Sequence, residues 1–148
     1  MIVTKEKDSY SSKRGWGKEY IMSELKFYRC KHCGNIVVFA NNSGVPVMCC
    51  GEPMTAIEAN TTDAAVEKHV PDVKVSGDMV IVKVGAAPHP MLENHYIQWI
   101  VLETKQGYQM KTLKPGEAAE AVFSVCGDDE PVAAYAYCNL HGLWKMNV

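Results

Sequence analysis

Six cysteines and five histidines are the side chains of this 148-residue sequence best suited to bind a soft or borderline metal ion. Four of the cysteines lie close together, as Cys30-x2-Cys33 followed by the adjacent pair Cys49-Cys50. A C-x-x-C turn followed by Gly34 lets two sulfurs point at one ion, as in zinc ribbons. The spacing therefore predicts a tetrathiolate site, and a sulfur tetrahedron alone leaves both zinc and iron open.

The adjacent cysteines set a condition on the backbone. Neighbouring residues in a strand point to opposite faces, so Cys49 and Cys50 can bind one ion only where the chain bends. Gly51-Glu52-Pro53 follows directly, and its glycine and proline favour a turn at that point. His32, inside the C-x-x-C turn, is expected to project outward as a surface residue.

A second group of possible ligands lies in the C-terminal part of the chain. A lone histidine is more often a satisfied surface or core residue than a ligand, but four of them with a cysteine nearby predict a second metal site. Each histidine stands at a predicted turn or strand end, in the segments EKHVPD, APHPML, ENHYIQ and CNLHGLW. Prolines next to these histidines restrict the loops. The candidates are His69, His89, His95, Cys138 and His141.

Composition excludes several classes of protein. The chain is 47% hydrophobic and 22% charged, which is typical of a soluble globular protein, and its formal charge of −2 without a basic stripe argues against a nucleic-acid partner. No apolar run approaches the roughly 20 residues that span a bilayer, and the N-terminus has no secretory signal. We therefore expect a cytoplasmic protein without a membrane partner, whose cysteines are thiolates or metal ligands rather than disulfides.

The pattern along the chain predicts an all-β protein with a tail and two domains. Residues 1–21 are polar and aperiodic, which predicts a disordered tail; a natural start at Met22 is an alternative. Residues 22–59 form a small module that cannot bury enough apolar surface alone and needs a metal for stability. Residues 60–148 contain several strands rich in Val, Ile and aromatics without a convincing helix, which predicts an Ig-like antiparallel β-sandwich.

Three further residues and one strand carry expectations about packing. Cys126 follows the alternating run AVFSVC and is expected to be a buried, inert thiol. Trp99 and Trp144 are expected to be core or pocket-wall aromatics rather than electron relays. The segment NHYIQWIVLE alternates in polarity, which predicts a strand with one face inside.

Six segments in their order along the chain closely resemble one family, the two-iron superoxide reductases called desulfoferrodoxins. They are YRCKHCGNIV, CCGEPM, EKHVP, HPM, NHYIQWI and CNLHGLW. The resemblance covers about residues 22 to 148, and each metal-binding position of both family sites has a counterpart of the correct residue type. It implies a desulforedoxin-like iron module followed by an Ig-like catalytic β-domain, with iron rather than zinc in the first site.

The resemblance also implies roles for individual residues. Cysteines 30, 33, 49 and 50 would hold a tetrathiolate iron, while the four C-terminal histidines would surround a second iron with Cys138 as the axial thiolate. The implied reaction is the one-electron reduction of superoxide, with two protons, to hydrogen peroxide without release of dioxygen. The second iron would keep one coordination position open for substrate, opposite the Cys138 sulfur. Lys68 would supply positive charge near that position, and Glu67 would bind the ferric iron after turnover. Taken alone, these two residues are also compatible with a solvated charge pair in a loop.

The resemblance also bears on the partners of the protein, and two alternative functions stay open. The resemblance implies a rubredoxin-like electron donor and a homodimer, and it leaves open whether the first iron relays electrons or supports folding. One alternative is a non-catalytic two-iron electron-transfer or storage protein, whose iron would ignore azide and cyanide. A structural zinc protein with an Ig-like binding domain is another, which colour and metal analysis would distinguish.

Overall fold

A computed structural model describes residues 24–148 of the chain, so the tail predicted for residues 1–21 lies outside the described residues. The N-terminal part consists of short strands separated by turns. Three of them form an antiparallel sheet in the order β2-β1-β5, and the other two form a separate hairpin. The strands are β1 (Phe27–Arg29), β2 (Ile36–Val38), β3 (Met48–Cys49), β4 (Glu52–Pro53) and β5 (Thr55–Ala56).

Residues 60–148 form two antiparallel sheets and one short helix. The sheets have the strand orders β10-β7-β6 and β12-β11-β8-β9. The all-β prediction is confirmed, and the short helix α1 (Val66–His69) is the exception within this part of the chain. Sheets of three and four strands match the strand number of a constant-type Ig sandwich, and the Ig-like assignment stays a prediction. The strands are β6 (Pro71–Ser76), β7 (Met79–Val84), β8 (Ile97–Thr104), β9 (Gly107–Thr112), β10 (Glu120–Ser124), β11 (Pro131–Cys138) and β12 (Gly142–Asn147).

Strand β8 is buried on both of its faces, so the prediction of one inside face is wrong. Ile100 and Leu102 face the other sheet and join the core between the sheets. Trp99 and Val101 point the other way and belong to a second core, which contains Phe27 from the N-terminal module. The N-terminal module therefore covers a sheet face that would otherwise meet water, which explains why alternation along β8 misled the prediction.

A buried carboxylate fastens the N-terminal module to the β-domain. Glu103 is only 5% exposed and accepts hydrogen bonds from the Tyr135 hydroxyl at 2.8 Å and from the Leu25 backbone N–H at 3.1 Å. Phe27 stacks on Trp99 with ring centroids 5.0 Å apart and meets the edge of Tyr135 at 5.3 Å. Burial, then the Glu103 carboxylate, raises the pKa of Tyr135, so its hydroxyl remains a donor.

Cys126 is exposed, and the prediction of a buried thiol is therefore wrong. Strand β10 ends at Ser124, and the inward alternation of Ala121 and Phe123 continues to Val125, which is buried. Cys126 then begins a turn in which the Asp129 N–H donates to the Cys126 carbonyl at 2.9 Å. The alternation was thus read one residue out of phase. Trp99 and Trp144, in contrast, are buried as predicted.

The Glu103 contact leads to a stability prediction. Tyr135→Phe removes a donor to a buried carboxylate and should lower the free energy of unfolding by about 2 kcal/mol, since a hydrogen bond to a charged group contributes about 1.5–3 kcal/mol. Urea denaturation measures this. Tyr108→Phe is the matched control, because Tyr108 is exposed on β9 and its loss of a hydroxyl should change stability by less than about 0.5 kcal/mol. Equal losses in the two variants would contradict the role of Glu103.

Candidate metal centres

The structure brings the four clustered cysteines together at the tips of two turns. In the first turn the Cys30 N–H donates to the Asn35 carbonyl at 2.9 Å and the Gly34 N–H donates to the Cys30 carbonyl at 3.1 Å. Gly34 has a φ of 79°, a conformation that glycine adopts without steric cost. These contacts hold the Cys30 and Cys33 side chains on one side of the turn, where they face the second turn.

The second turn solves the problem of the adjacent cysteines. Strands β3 and β4 are joined by Cys50 and Gly51, which have φ values of 51° and 81°. Positive φ at both central residues is the mark of a type I′ hairpin turn. The left-handed conformation of Cys50 breaks the strand alternation, so both thiols can face the same point, and the predicted bend is confirmed.

The four thiols form one compact group. Their sulfurs lie within 4.8 Å of one another, and the Cys33 and Cys49 sulfurs are 3.5 Å apart. The backbone N–H of Cys33, followed by other hydrogen bonds, lowers the pKa of Cys30 to about 6 against the effect of desolvation. The neighbouring thiols, Cys33 first, raise the pKa of Cys49 to about 12 and raise that of Cys50. A thiolate is the ligand form of cysteine, so the first turn favours ionisation, and a bound cation would favour it at the other two thiols. His32 is exposed, as predicted, and its Nε2 lies 3.2 Å from a Glu52 carboxylate oxygen.

The second predicted group converges in the C-terminal β-domain. His69 closes α1, His89 and His95 lie in the segment between β7 and β8, and Cys138 and His141 lie at the β11–β12 turn. Their ligand atoms are all within 4.8 Å of one another. The predicted approach of His89 and His95 across a short loop is confirmed by a centroid distance of 4.8 Å.

The four imidazoles form a closed ring. Successive ring centroids, in the order His69, His89, His95, His141 and back to His69, are 4.7 to 5.0 Å apart. Neighbouring ring planes meet at 77° to 87°, so each imidazole presents its edge to the centre. The Cys138 sulfur lies 3.6 Å from Nδ1 of His141 and is fully buried. The arrangement is four nitrogens around a common centre with a sulfur close by.

Hydrogen bonds on the outer ring nitrogens fix which atoms face inward. His69 and His89 use Nδ1 to donate to the carbonyls of Ala65 at 2.7 Å and Pro90 at 2.6 Å, which turns their Nε2 atoms to the centre. His141 presents Nδ1 instead, 2.9 Å from Nε2 of His69. A second ring nitrogen donating to a carbonyl is the usual outer contact of a metal-bound histidine.

The inner nitrogens fit a metal ion. Nε2 of His89 and Nε2 of His95 are buried without a hydrogen-bond partner within residues 24–148. Buried polar atoms are nearly always paired, so two unpaired atoms aimed at one point call for a ligand. Burial, the largest cause, lowers the pKa of His69 and His95 and lowers that of His89 to about 4, which leaves lone pairs free at neutral pH.

The thiol of Cys138 has opposing influences on its ionisation. Burial raises the pKa of Cys138, whereas the backbone N–H groups of Leu140 and His141 lower it. A nearby metal cation would favour the thiolate form strongly. The sulfur is therefore set up to ionise when a metal ion binds, with two backbone donors already aimed at the negative charge.

Two side chains that the sequence reasoning did not assign to the site hold its loops in position. Trp144 stacks on His69 with a centroid distance of 4.9 Å and donates its indole N–H to the His141 carbonyl at 3.1 Å. Asn139 accepts from the Tyr96 N–H at 2.9 Å and donates to the Asn94 carbonyl at 3.0 Å, on either side of His95. Both residues lie close to ligand candidates in the sequence. Their contacts with His69 and with the His95 segment join residues more than 40 positions apart, and no local sequence pattern specifies such contacts.

Glu67 and Lys68 lie on α1 directly before His69, and both are exposed. Neither side chain makes an ion pair within the described part of the chain. Burial, the largest cause, lowers the pKa of His95, followed by the charges of His141 and Lys68, so the lysine charge acts on this imidazole. The helix thus presents a free cation and a free carboxylate at the edge of the site.

Gly85 controls how closely the two ligand-bearing segments approach. A Cβ at this position would lie 2.4 Å from the Ala87 carbonyl oxygen and 2.6 Å from the Lys68 carbonyl oxygen. The Gly85 N–H donates to the Val70 carbonyl at 3.2 Å, and the Ala87 N–H donates to the Glu67 carbonyl at 3.0 Å. Absence of a side chain at Gly85 therefore lets the His89 loop pack against α1.

Two family models match this chain, one in the N-terminal module and one in the C-terminal β-domain. The family model for desulfoferrodoxin matches residues 61–147, and the model for the desulfoferrodoxin N-terminal domain matches residues 23–57. The chain belongs to the desulfoferrodoxin family. Among relatives in this family, a desulfoferrodoxin homolog of Archaeoglobus fulgidus is 46% identical over 121 residues, covering 82% of this chain and 95% of the relative.

Two further desulfoferrodoxin-family comparisons agree. The desulfoferrodoxin of Nitratidesulfovibrio vulgaris is 45% identical over 123 residues, which is 83% of this chain and 96% of that protein. The crystal structure of the superoxide reductase from Treponema pallidum superimposes with a TM-score of 0.72 at 40% identity, covering 84% of this chain and 100% of that one. The resemblance read from the sequence is confirmed, as is the order of a desulforedoxin-like module and a superoxide reductase-like β-domain.

The close approach at Gly85 predicts a selective loss of the second centre. Gly85→Ala should push α1 and the His89 loop apart and lower the metal content at the histidine cluster, while the tetracysteine spectrum remains. Metal analysis with optical spectra measures both. Gly116→Ala is the matched control, since Gly116 has a φ of 84° but no atom within 4 Å of the added Cβ. A similar loss of metal from the histidine cluster in both variants would mean that backbone strain, and not the close approach at Gly85, causes the effect.

Proposed function

We propose that this desulfoferrodoxin-family protein is a superoxide reductase, which reduces superoxide by one electron to hydrogen peroxide. The observation that carries the proposal is the ring of four imidazoles with a buried thiol beside it, in which the inner Nε2 atoms of His89 and His95 lack partners within the described residues. The similarity to the Treponema pallidum superoxide reductase over nearly all of the described residues supports the same activity. The protein is accordingly an oxidoreductase.

The donor sets are consistent with two iron ions per chain, one at each cluster. We assign Cys30, Cys33, Cys49 and Cys50 to the first iron. The second iron is assigned to the other cluster: His69, His89, His95, Cys138 and His141. Iron held by four imidazoles and one thiolate would supply a reversible one-electron couple, made more electron-rich by the sulfur.

Residues of the chain would guide the substrate and its protons. Lys68 is exposed next to the ligand candidate His69 and its positive charge acts on His95, and a cation at the edge of a site raises the local concentration of an anion such as superoxide. The same charge stabilises negative charge that develops on the product. Glu67 is exposed on α1 next to Lys68, so its carboxylate would be available to bind the second iron after turnover. The exposed edge of the site gives solvent access for the two protons.

The extents of the family matches support the domain boundaries proposed from the sequence. We propose an iron module over residues 22–59 and a catalytic β-domain over residues 60–148, against matches to 23–57 and 61–147. The Glu103 contacts and the shared aromatic core support a fixed packing between them. In this arrangement the first centre stabilises a module that also covers one face of β8.

Partners and location are inferred from surface chemistry. Val45 and Met48 expose apolar side chains on the N-terminal module, and Tyr108 and Met110 do so on β9, which supports a homodimer. Each turnover consumes one electron, so a small carrier such as a rubredoxin-like protein is the proposed donor. Unpaired thiols at two metal clusters suit a reducing compartment, which supports a cytoplasmic location. No helix among residues 24–148 is both long and apolar enough to cross a membrane.

Replacing Cys49 with Ser tests the division of roles between the centres. The change should remove the tetrathiolate spectrum and leave superoxide reduction largely intact with an artificial donor, since the two clusters share no residue. Optical spectra and the superoxide rate constant report the two effects separately. Loss of reduction in this variant would mean that the first centre takes part in the reaction.

Lys68→Ala tests the electrostatic role of the lysine. Removing this charge should lower the rate constant for superoxide by roughly tenfold at low salt and weaken its dependence on ionic strength, with unchanged iron content. Pulse radiolysis measures the rate. Lys74→Ala serves as the control, because Lys74 is an exposed lysine on β6. A rate constant equal to that of the parent protein would return Lys68 to the role of a solvated surface charge.

Cys138→Ser tests the thiolate. The change substitutes a harder and weaker ligand for a soft, electron-donating one, so the sulfur-to-iron charge-transfer band should disappear and turnover should collapse even where iron is retained. Cys126→Ser is the control and should preserve both band and activity, because Cys126 is exposed and belongs to neither ligand group. Equal damage from the two substitutions would contradict the assignment of Cys138.

A further inference from the structure

A groove of about 600 Å³ runs between the N-terminal module and the turn that carries Cys138 and His141. One wall contains Arg29 and Lys31, which flank Cys30, and the opposite wall contains Leu140 and His141. The groove therefore touches the turns of both metal clusters. Superoxide has two atoms, so a groove of this size exceeds what the substrate needs.

The basic wall of the groove has free charges. Arg29 and Lys31 are exposed, and neither forms an ion pair within the described residues. Glu58 is the acidic side chain that lines the groove, so the lining is net positive although the chain as a whole is net negative. A partner suited to this wall carries negative charge.

The opposite wall offers an apolar anchor next to the metal ligands. Leu140 is 59% exposed and lies in sequence between the candidate ligands Cys138 and His141. Its backbone N–H and that of His141 approach the Cys138 sulfur, as their effect on the thiol pKa indicates. An electron that arrives at this turn reaches the thiolate through a few bonds and one hydrogen bond.

We propose that this groove is the docking site of a small acidic protein that carries one electron, an inference that rests on the proposed superoxide reductase function. Leu140 anchors the carrier, and Arg29 and Lys31 attract it. With iron held by the His69, His89, His95, Cys138 and His141 group, one electron would pass from the reduced carrier to that centre, which would oxidise the carrier and reduce the iron from ferric to ferrous without proton transfer. Weak electron-transfer interfaces bury less than about 1,200 Å², which a groove with one anchor and a charged rim can supply.

The docking site is separate from the substrate edge. Lys68 is not among the described residues that line the groove, while His141 belongs to both the groove and the imidazole ring. A carrier bound over His141 would leave the Lys68 edge to superoxide. Carrier and substrate should therefore respond to different substitutions, which makes the two surfaces experimentally separable.

Stopped-flow reduction of the oxidised holoprotein by a reduced acidic rubredoxin tests the proposal without superoxide. The decay of the sulfur-to-iron charge-transfer band measures the rate. Lys31→Glu and Leu140→Glu should each slow it about tenfold at low salt, and Lys31→Glu should weaken its salt dependence. The control for Lys31→Glu is Lys74→Glu, because Lys74 is an exposed lysine on β6. The control for Leu140→Glu is Leu92→Glu, because Leu92 is 61% exposed and pairs with His95. Both control variants should react within about twofold of the parent rate.

Three outcomes would overturn the docking site. Equal slowing by Lys74→Glu would mean a nonspecific charge effect, and selective slowing by Leu92→Glu would move docking to the His95 edge. A change in sedimentation of Leu140→Glu would make the groove an interface between copies of the chain.

The reaction with superoxide separates the docking site from the proposed function. Superoxide should oxidise the prereduced parent and Lys31→Glu proteins at equal rates. If the parent protein fails to react with superoxide while the carrier effects persist, the proposed function fails and the docking site stands.

Discussion

Convergence of unpaired ligand atoms at one point is the constraint on which the rest of this structure depends. Four imidazole edges and one thiol meet within 4.8 Å, and two of the inner nitrogens are buried without partners. Such an arrangement is unfavourable without a cation, because buried polar atoms that lack hydrogen bonds cost about 1–3 kcal/mol each. A metal ion converts the same arrangement into a stable centre, so metal binding and local folding are coupled.

The C-terminal β-domain meets this constraint with its loops and strand ends rather than with its core. Cys138 is the last residue of β11, and the turn to β12 brings His141 back to it within three residues. The remaining histidines come from α1 and the segment after β7, where the missing side chain at Gly85 allows close packing. Rigid strands thus hold loops whose outer edges stay open to an anionic substrate.

The N-terminal module solves a similar problem with less protein. Its four thiols are held by two turns, each of which relies on positive φ values at Gly34 or at Cys50 and Gly51. The module also covers one face of β8 and is tied to Glu103. It therefore completes the core of its neighbour, and its own metal helps to stabilise a unit too small to fold on apolar burial alone.

Residue types and spacing were sufficient to predict the two clusters, because cysteine and histidine at turns have few competing explanations when they occur together. The bend at Cys50 was also predictable, since two adjacent ligands cannot face one ion in a regular strand. Strands with strong β-branched and aromatic content, such as β7 and β11, followed from the pattern. The β6 strand (Pro71–Ser76) was not singled out, since its exposed face is polar.

Features that depend on tertiary contacts were beyond the sequence. The second buried face of β8 exists because Phe27 packs on Trp99, a contact across 72 positions in the chain. Stacking of Trp144 on His69 and the two hydrogen bonds of Asn139 around His95 have the same origin. The error at Cys126 was different in kind, because the correct phase of β10 was present in the alternation of Ala121, Phe123 and Val125.

Product stoichiometry tests the central claim most directly. The prereduced protein is mixed with known amounts of superoxide, and hydrogen peroxide and dioxygen are measured together with oxidation of the second centre. A reductase site predicts one hydrogen peroxide and one oxidised centre for each superoxide consumed, with no dioxygen released. Half as much peroxide accompanied by dioxygen, or no oxidation of the centre, would contradict the account.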